Sequence, residues 1–125
     1  MKERVTFYHC EICDNMVGLI KNGGGELVCC GQPMVKLEAN TVDAAVEKHV
    51  PYAKRENGKI VVQVGSVAHP MVPEHYIEWI VVANENGTER ISLEPGEEPK
   101  AIFCDRPNAE VYAYCNLHGL WKSTV

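Results

Sequence analysis

No apolar run in the sequence approaches the ~20 residues that a helix needs to cross a bilayer, so no membrane association is expected. The opening stretch, MKERVTFYHC, lacks the apolar segment of a secretory signal, and a cytoplasmic protein is expected. Lys and Arg are scattered without stripe or cluster and the net charge is −5, so the basic footprint on which nucleic-acid binding relies is missing. There is no internal repeat and no low-complexity tract. What is there is a chain of 125 residues with an ordinary apolar fraction, enough for a packed core. That length fits one domain, or a very small one joined to one of medium size.

Cysteine is the residue in excess. Six cysteines in so short a chain mean disulfides in a secreted protein, but metal or redox chemistry in the cytosol. Cys29 and Cys30 are adjacent, and a disulfide ring joining neighbours is strained, so the metal reading is favoured. Residues 1–37 hold four of the six cysteines, a Gly23-Gly24-Gly25 run and few long apolar segments. A unit below roughly 40 residues draws on a metal or on disulfides for the stability its core cannot supply. VTFYHC and GELVCC read as short strands that deliver cysteines into turns.

Residues 38–125 read as β. TVDAAVEKH, at 41–49, is the candidate for a short helical turn, with Thr41 as N-cap and Pro51 preventing its continuation. Strands are expected at KIVVQVGSV after the Asn57-Gly58 turn, at YIEWIVVA and ERISLEP around NENG, and at KAIFC and AEVYAYC around Pro107-Asn108. Short strands spaced about 8–12 residues apart point to a β-sandwich.

Cys10-x2-Cys13 lets two thiolates converge on one metal while backbone N–H groups point at the sulfurs, and Cys29-Cys30 completes a four-sulfur set. Such a set selects zinc or iron, and a zinc ribbon that only staples the fold is the competing reading. The adjacent pair departs from the C-x2-C…C-x2-C pattern of rubredoxins and common zinc ribbons. It is similar to the desulforedoxin-type centre, a mononuclear iron held by four thiolates, which turns the choice toward iron and one-electron chemistry.

The chain has five histidines: His9, His49, His69, His75 and His118. A lone histidine is more often a surface or core residue than a ligand, but four of these share a pattern. His69 and His75 flank the turn-prone PMVPE segment, His49 stands just before Pro51, and His118 follows Cys115 by three positions. Four imidazoles and one thiolate do not suit the closed tetrahedron of zinc; they suit a five-coordinate iron with one open position. A thiolate opposite that position pushes electron density toward whatever binds there.

These motifs together resemble desulfoferrodoxin, the two-iron class of superoxide reductase, over essentially the whole chain. The resemblance rests on Cys10-x2-Cys13 with Cys29-Cys30, EKHVP at 47–51, HPMVPEHYIEW at 69–79 and YCNLHGLWK at 114–122. It implies a desulforedoxin-like domain over 1–37 and an immunoglobulin-like β-sandwich over 38–125, assembled as a homodimer. It implies two irons: one on Cys10, Cys13, Cys29 and Cys30, where zinc is the alternative metal, and one on His49, His69, His75 and His118 with Cys115 as axial ligand. It implies that Glu47 occupies the sixth position of the oxidised iron and that Lys48 attracts the anion and helps its protonation. The implied reaction is superoxide plus one electron plus two protons giving hydrogen peroxide, without dioxygen. The electron is expected from a rubredoxin-like donor, directly or through the four-sulfur iron. Two rivals remain open here: a pure electron-transfer relay, and a structural module with zinc at both sites.

Other residues fall outside these motifs. Cys104 is expected to be a buried free thiol acting as a small hydrophobe. His9 is expected to be exposed, with contact to the first centre as the alternative. Trp79 and Trp121 are expected in the core or in a pocket wall, and Gly119 where the backbone turns sharply beside the second centre.

Overall fold

The computed structural model describes residues 5–125. The chain divides into two compact units, Met1–Glu38 and Ala39–Val125.

In the first unit, β1 (Thr6–His9) pairs antiparallel with β2 (Met16–Leu19) on one side and β5 (Val35–Lys36) on the other. A second ladder joins β3 (Val28–Cys29) to β4 (Gln32–Pro33). Its connection is the two-residue loop Cys30-Gly31, with φ of 52° and 77°. Positive φ at both central positions is the type I′ hairpin turn, whose twist matches that of the strands, and glycine enters it without steric cost. Among the described residues, Phe7 and Cys10 are the only buried apolar side chains of this unit, too few for a self-sufficient core.

The second unit is a sandwich of two antiparallel sheets. It contains α1 (Val46–His49), β6 (Pro51–Glu56), β7 (Lys59–Val64), β8 (Ile77–Asn84), β9 (Gly87–Ser92), β10 (Lys100–Cys104), β11 (Glu110–Cys115) and β12 (Gly119–Thr124). One sheet runs β10-β7-β6 and the other β12-β11-β8-β9. The inward-facing residues form one core: Ile60, Val62 and Val64 of β7, Ala101 and Phe103 of β10, Ile80 and Val82 of β8, and Val111, Ala113 and Cys115 of β11. Their spacing by two is the pleat of a half-buried strand. The fold is mainly β, with an immunoglobulin-like sandwich after a small metal-binding unit.

Three expectations need correction. The helical turn covers only Val46–His49, with Ala45 and not Thr41 at its cap position. The segment before it turns instead, with Asn40 at a φ of 60°: Asn40 N–H donates to the Leu120 carbonyl, and its side chain pairs with both backbone groups of Lys122. Cys104 is exposed, because β10 alternates and puts Ala101 and Phe103 inside, leaving Lys100, Ile102 and Cys104 on the solvent face. His9 is half-buried, with Nε2 3.0 Å from Asp14 Oδ1.

Candidate metal centres

In the first unit the CEIC turn and the Cys30-Gly31 turn bring four sulfurs together, all within 4.8 Å of one another. Cys13 Sγ and Cys29 Sγ lie 3.6 Å apart, and Cys29 Sγ and Cys30 Sγ 3.9 Å. Sulfurs bonded at about 2.3 Å to a tetrahedral metal stand about 3.8 Å apart, so the cysteines fit a four-thiolate ion. The backbone N–H groups of Cys13 and Ile12 point at Cys10 Sγ and lower its pKa to about 7. Crowding against the sulfurs of Cys13, Cys29 and Cys10 pushes Cys30 up to about 12. Four thiolates so close do not ionise together without a cation among them. Asn15, which the sequence did not single out, directs its side-chain N–H at Cys29 Sγ over 3.6 Å.

The second group sits at one end of the sandwich. His49 ends α1 just before β6, His69 and His75 lie in the connection from β7 to β8, and Cys115 and His118 bracket the turn from β11 to β12. One donor atom each from His49, His69, His75 and Cys115 lies within 4.8 Å of the other three. His118 joins them, its Nδ1 3.0 Å from His49 Nε2 and 3.8 Å from Cys115 Sγ. The sequence-predicted imidazoles and thiol are thus all brought together.

The rings are held from behind. His49 Nδ1 stands 2.7 Å from the Ala45 carbonyl and His69 Nδ1 2.7 Å from the Pro70 carbonyl, so each Nδ1 carries the hydrogen and donates it. Their Nε2 atoms are therefore both bare, yet they face each other at 3.2 Å. His75 Nε2 is buried with no hydrogen-bond partner among the described residues. Lone pairs turned on one another and an orphaned buried nitrogen fit a cation shared by the rings. Nitrogens bonded to one metal at about 2.1 Å stand about 3.0 Å apart at neighbouring corners of a square and about 3.4 Å in a tetrahedron. The observed 3.0 Å matches the square and the observed 3.2 Å falls midway between the two.

Burial keeps the imidazoles neutral and able to ligate: it lowers His69 to about 4 and also lowers His49 and His75. Repulsion from His118 and, as a smaller contribution, from the Lys48 ammonium lowers His49 and His75 further, and Lys48 and Glu47 are themselves exposed. Burial raises the Cys115 thiol, and the backbone N–H groups of Leu117 and His118 act against this. Trp121 forms a wall, its ring 5.0 Å from that of His49 and its indole N–H donating to the His118 carbonyl at 3.0 Å. Gly119 turns the backbone away with a φ of 78°.

Two supports were not foreseen from sequence. Asn116 straddles His75, its Oδ1 accepting from Tyr76 N–H at 2.9 Å and its Nδ2 donating to the Glu74 carbonyl at 3.1 Å. Gly65 lies against the backbone of α1. Asn116 falls within the YCNLHGLWK motif, but nothing in its residue type marks it as a clamp on a loop 40 positions earlier.

The family model described as Desulfoferrodoxin matches residues 41–124, and that described as Desulfoferrodoxin, N-terminal domain, matches residues 2–37. A desulfoferrodoxin homolog of Archaeoglobus fulgidus is 52% identical, the alignment covering 98% of this chain and 99% of the relative. A desulfoferrodoxin of Syntrophotalea carbinolica is 50% identical, over 98% of each chain. Among solved structures, the superoxide reductase from Treponema pallidum superposes with a TM-score of 0.78 at 32% identity, covering 97% of this chain and 99% of that one. With two metal-type side-chain clusters in the units that the two models match, the chain belongs to the desulfoferrodoxin family.

Proposed function

We propose that this chain is a superoxide reductase, converting superoxide, one electron and two protons to hydrogen peroxide at the histidine–cysteine centre. The observation that carries the reading is the pair of bare nitrogens of His49 and His69 facing each other 3.2 Å apart, with the buried Cys115 sulfur in the same group. His49, His69, His75 and His118 would hold an iron through Nε2 of the first three and Nδ1 of the last, with Cys115 as the thiolate ligand. Iron held there supplies the one-electron change.

The chain's own residues do the rest. The carbonyls of Ala45 and Pro70 fix two imidazoles in the tautomer that leaves Nε2 free. The Leu117 and His118 N–H groups stabilise negative charge on Cys115. Lys48 sets one exposed positive charge beside a site on a chain of net charge −5, offsetting the repulsion of an anionic substrate. Its ammonium is also a proton donor at the mouth of the site. Glu47, its neighbour on α1, is the carboxylate that would serve as a further oxygen ligand to an oxidised iron held there.

Cys10, Cys13, Cys29 and Cys30 hold a second iron in this reading, with zinc as the alternative, since the sulfur spacings suit both. A rubredoxin-like protein as electron donor, assembly as a homodimer and a cytoplasmic location complete it, supported by the family resemblance. No helix among the described residues is long and apolar enough to cross a membrane.

The test is metal analysis and visible spectroscopy on protein from iron-replete cells, followed by rapid mixing of the reduced protein with superoxide. One peroxide per superoxide without dioxygen is expected. Dioxygen evolution, or a colourless zinc protein inert to superoxide, refutes the reading.

A further inference from the structure

Gly65 follows the last residue of β7 and opens the turn that leads to His69. A Cβ placed on it would stand 2.7 Å from the Glu47 carbonyl oxygen, 2.8 Å from the Val50 carbonyl oxygen and 3.1 Å from the Lys48 carbonyl carbon. All three are backbone atoms of the short segment that carries Glu47, Lys48 and His49, so none can rotate aside. Among the described glycines, no other would bring a Cβ nearer than 3.6 Å to its surroundings.

The close approach is put to use. With nothing between them, Val67 N–H donates to the Glu47 carbonyl at 2.9 Å and the Ser66 hydroxyl donates to the same oxygen at 3.3 Å. Below the turn, the Gln63 side-chain amide donates to the Gly65 carbonyl at 2.9 Å. On its far side, His69 N–H donates to the Val64 carbonyl at 2.8 Å. One turn thus grips the carrier of His49 and launches His69. The helical turn it grips has four residues and no side-chain cap of its own, so its place depends on outside contacts.

We infer that Gly65 is a positioning residue: its missing side chain lets the 65–67 turn close on α1 and so sets the place of the exposed Lys48, which precedes His49 on that turn. The inference rests on the reading of Lys48 given above as the charge that draws in the anion. An added methyl must drive the two backbones apart, because the atoms it meets belong to neither a flexible side chain nor an open space. The displaced segment moves Glu47, Lys48 and the backbone of His49 outward together, while Cys115, His75 and His118 stand on other elements, keep their places and retain the iron.

The experiment compares the iron-loaded full chain with Gly65→Ala and, in parallel, Lys48→Ile. Hydrogen exchange of peptides covering 46–50 and 65–67 reads the clamp; the second-order rate with superoxide against ionic strength reads the placement of Lys48. In Gly65→Ala, the two peptides are expected to exchange faster while β8 and β11 stay protected and the iron content is unchanged. The rate is expected to fall about tenfold at low salt, with a flattened salt dependence, since steering of an anion by a placed charge is what salt screens. A wild-type rate and salt slope in Gly65→Ala, while Lys48→Ile slows the reaction, overturns the positioning role. Wild-type behaviour of both variants overturns the role of Lys48 along with it. Faster exchange across the whole sandwich, with an equal loss of rate at every salt concentration, makes Gly65 a scaffold residue only and also overturns the inference. Should Gly65→Ala not fold, Ser66→Ala removes one donor from the same carbonyl without adding volume. It is expected to lower the rate about threefold with the same flattened slope, the scale of one lost hydrogen bond, and no change refutes the inference.

Discussion

Replacing Asn116 with alanine removes two hydrogen bonds from the loop that presents His75, without touching any proposed ligand. The side chain accepts from Tyr76 N–H at 2.9 Å and donates to the Glu74 carbonyl at 3.1 Å, gripping the residues on either side of His75. Each such bond contributes about 0.5–1.5 kcal/mol, so the pair holds the loop by about 1–3 kcal/mol. The backbone bond from Asn116 N–H to the Tyr76 carbonyl, at 3.2 Å, survives the substitution and keeps the loop from detaching. The loss therefore falls on the orientation of the imidazole, and weakening of metal binding by about 10–100-fold is expected, as for other groups that orient a ligating histidine. Asn116→Asp should not rescue it, because its second oxygen meets the Glu74 carbonyl where a donor is required. The assay is transfer of iron to a chelator, followed through the visible absorption of the thiolate-bound centre, beside urea unfolding of the metal-free chain. Retention of iron as tight as wild type, with metal-free stability lowered by the full amount, would show that Asn116 braces the loop and not the ring, and the reasoning fails.

The other expectations are briefer. Lys48→Ile should slow the second-order reaction with superoxide, most clearly at low ionic strength; an unchanged rate removes Lys48 from the mechanism. Glu47→Ala should leave the ferric centre open to added anions, seen as a shift of its visible band, with reduction retained; loss of iron instead assigns Glu47 a structural part. Asn15→Ala should lower the midpoint potential of the first centre in a redox titration, since an N–H aimed at Cys29 sulfur favours the reduced, more negative state; an equal or higher potential contradicts this. In the metal-free chain, Cys10 should ionise near pH 7, below the ordinary 9.0, so that its thiolate absorbance is present above that pH and lost below it. The step should vanish in Cys10→Ser, and its persistence there assigns it to another cysteine.

What could be read from the sequence follows from what was local. Asn57-Gly58 announces a hairpin by its own chemistry, and the strands Glu56↔Lys59 close around it with φ of 52° and 72° in the turn. The strands KAIFC and AEVYAYC were likewise visible, but they do not pair: β10 joins β7, whereas β11 lies between β8 and β12 in the other sheet. β6 and β12 escaped notice because PYAKRE and GLWKST carry mixed polar faces with little apolar alternation. The buried thiol expected at Cys104 failed because an apolar strand was read as a whole, when its residues alternate in and out of the core. Histidines and cysteines were legible as donors because few other roles explain four of them at strand ends. Gly65 and Asn116 were not, since both act through backbone atoms far away in the chain, and a backbone contact leaves no mark in residue type.

The sulfur of Cys115 is mounted differently from the rings around it. β11 is hydrogen-bonded along both flanks, and at its end the register slips so that Ile77, opposite Cys115, faces inward although the pleat of β8 would have placed Glu78 there. The cysteine is wholly buried at the end of the most heavily braced strand, whereas each imidazole rides on a turn or a single helical coil. Local opening starts where backbone bonding is thinnest, so the nitrogen side is the compliant side of the cup and the sulfur is its fixed datum. If iron is held as proposed, gentle heating should free the histidines before the thiolate, and a change of oxidation state would be accommodated by movement of the imidazole side rather than of Cys115.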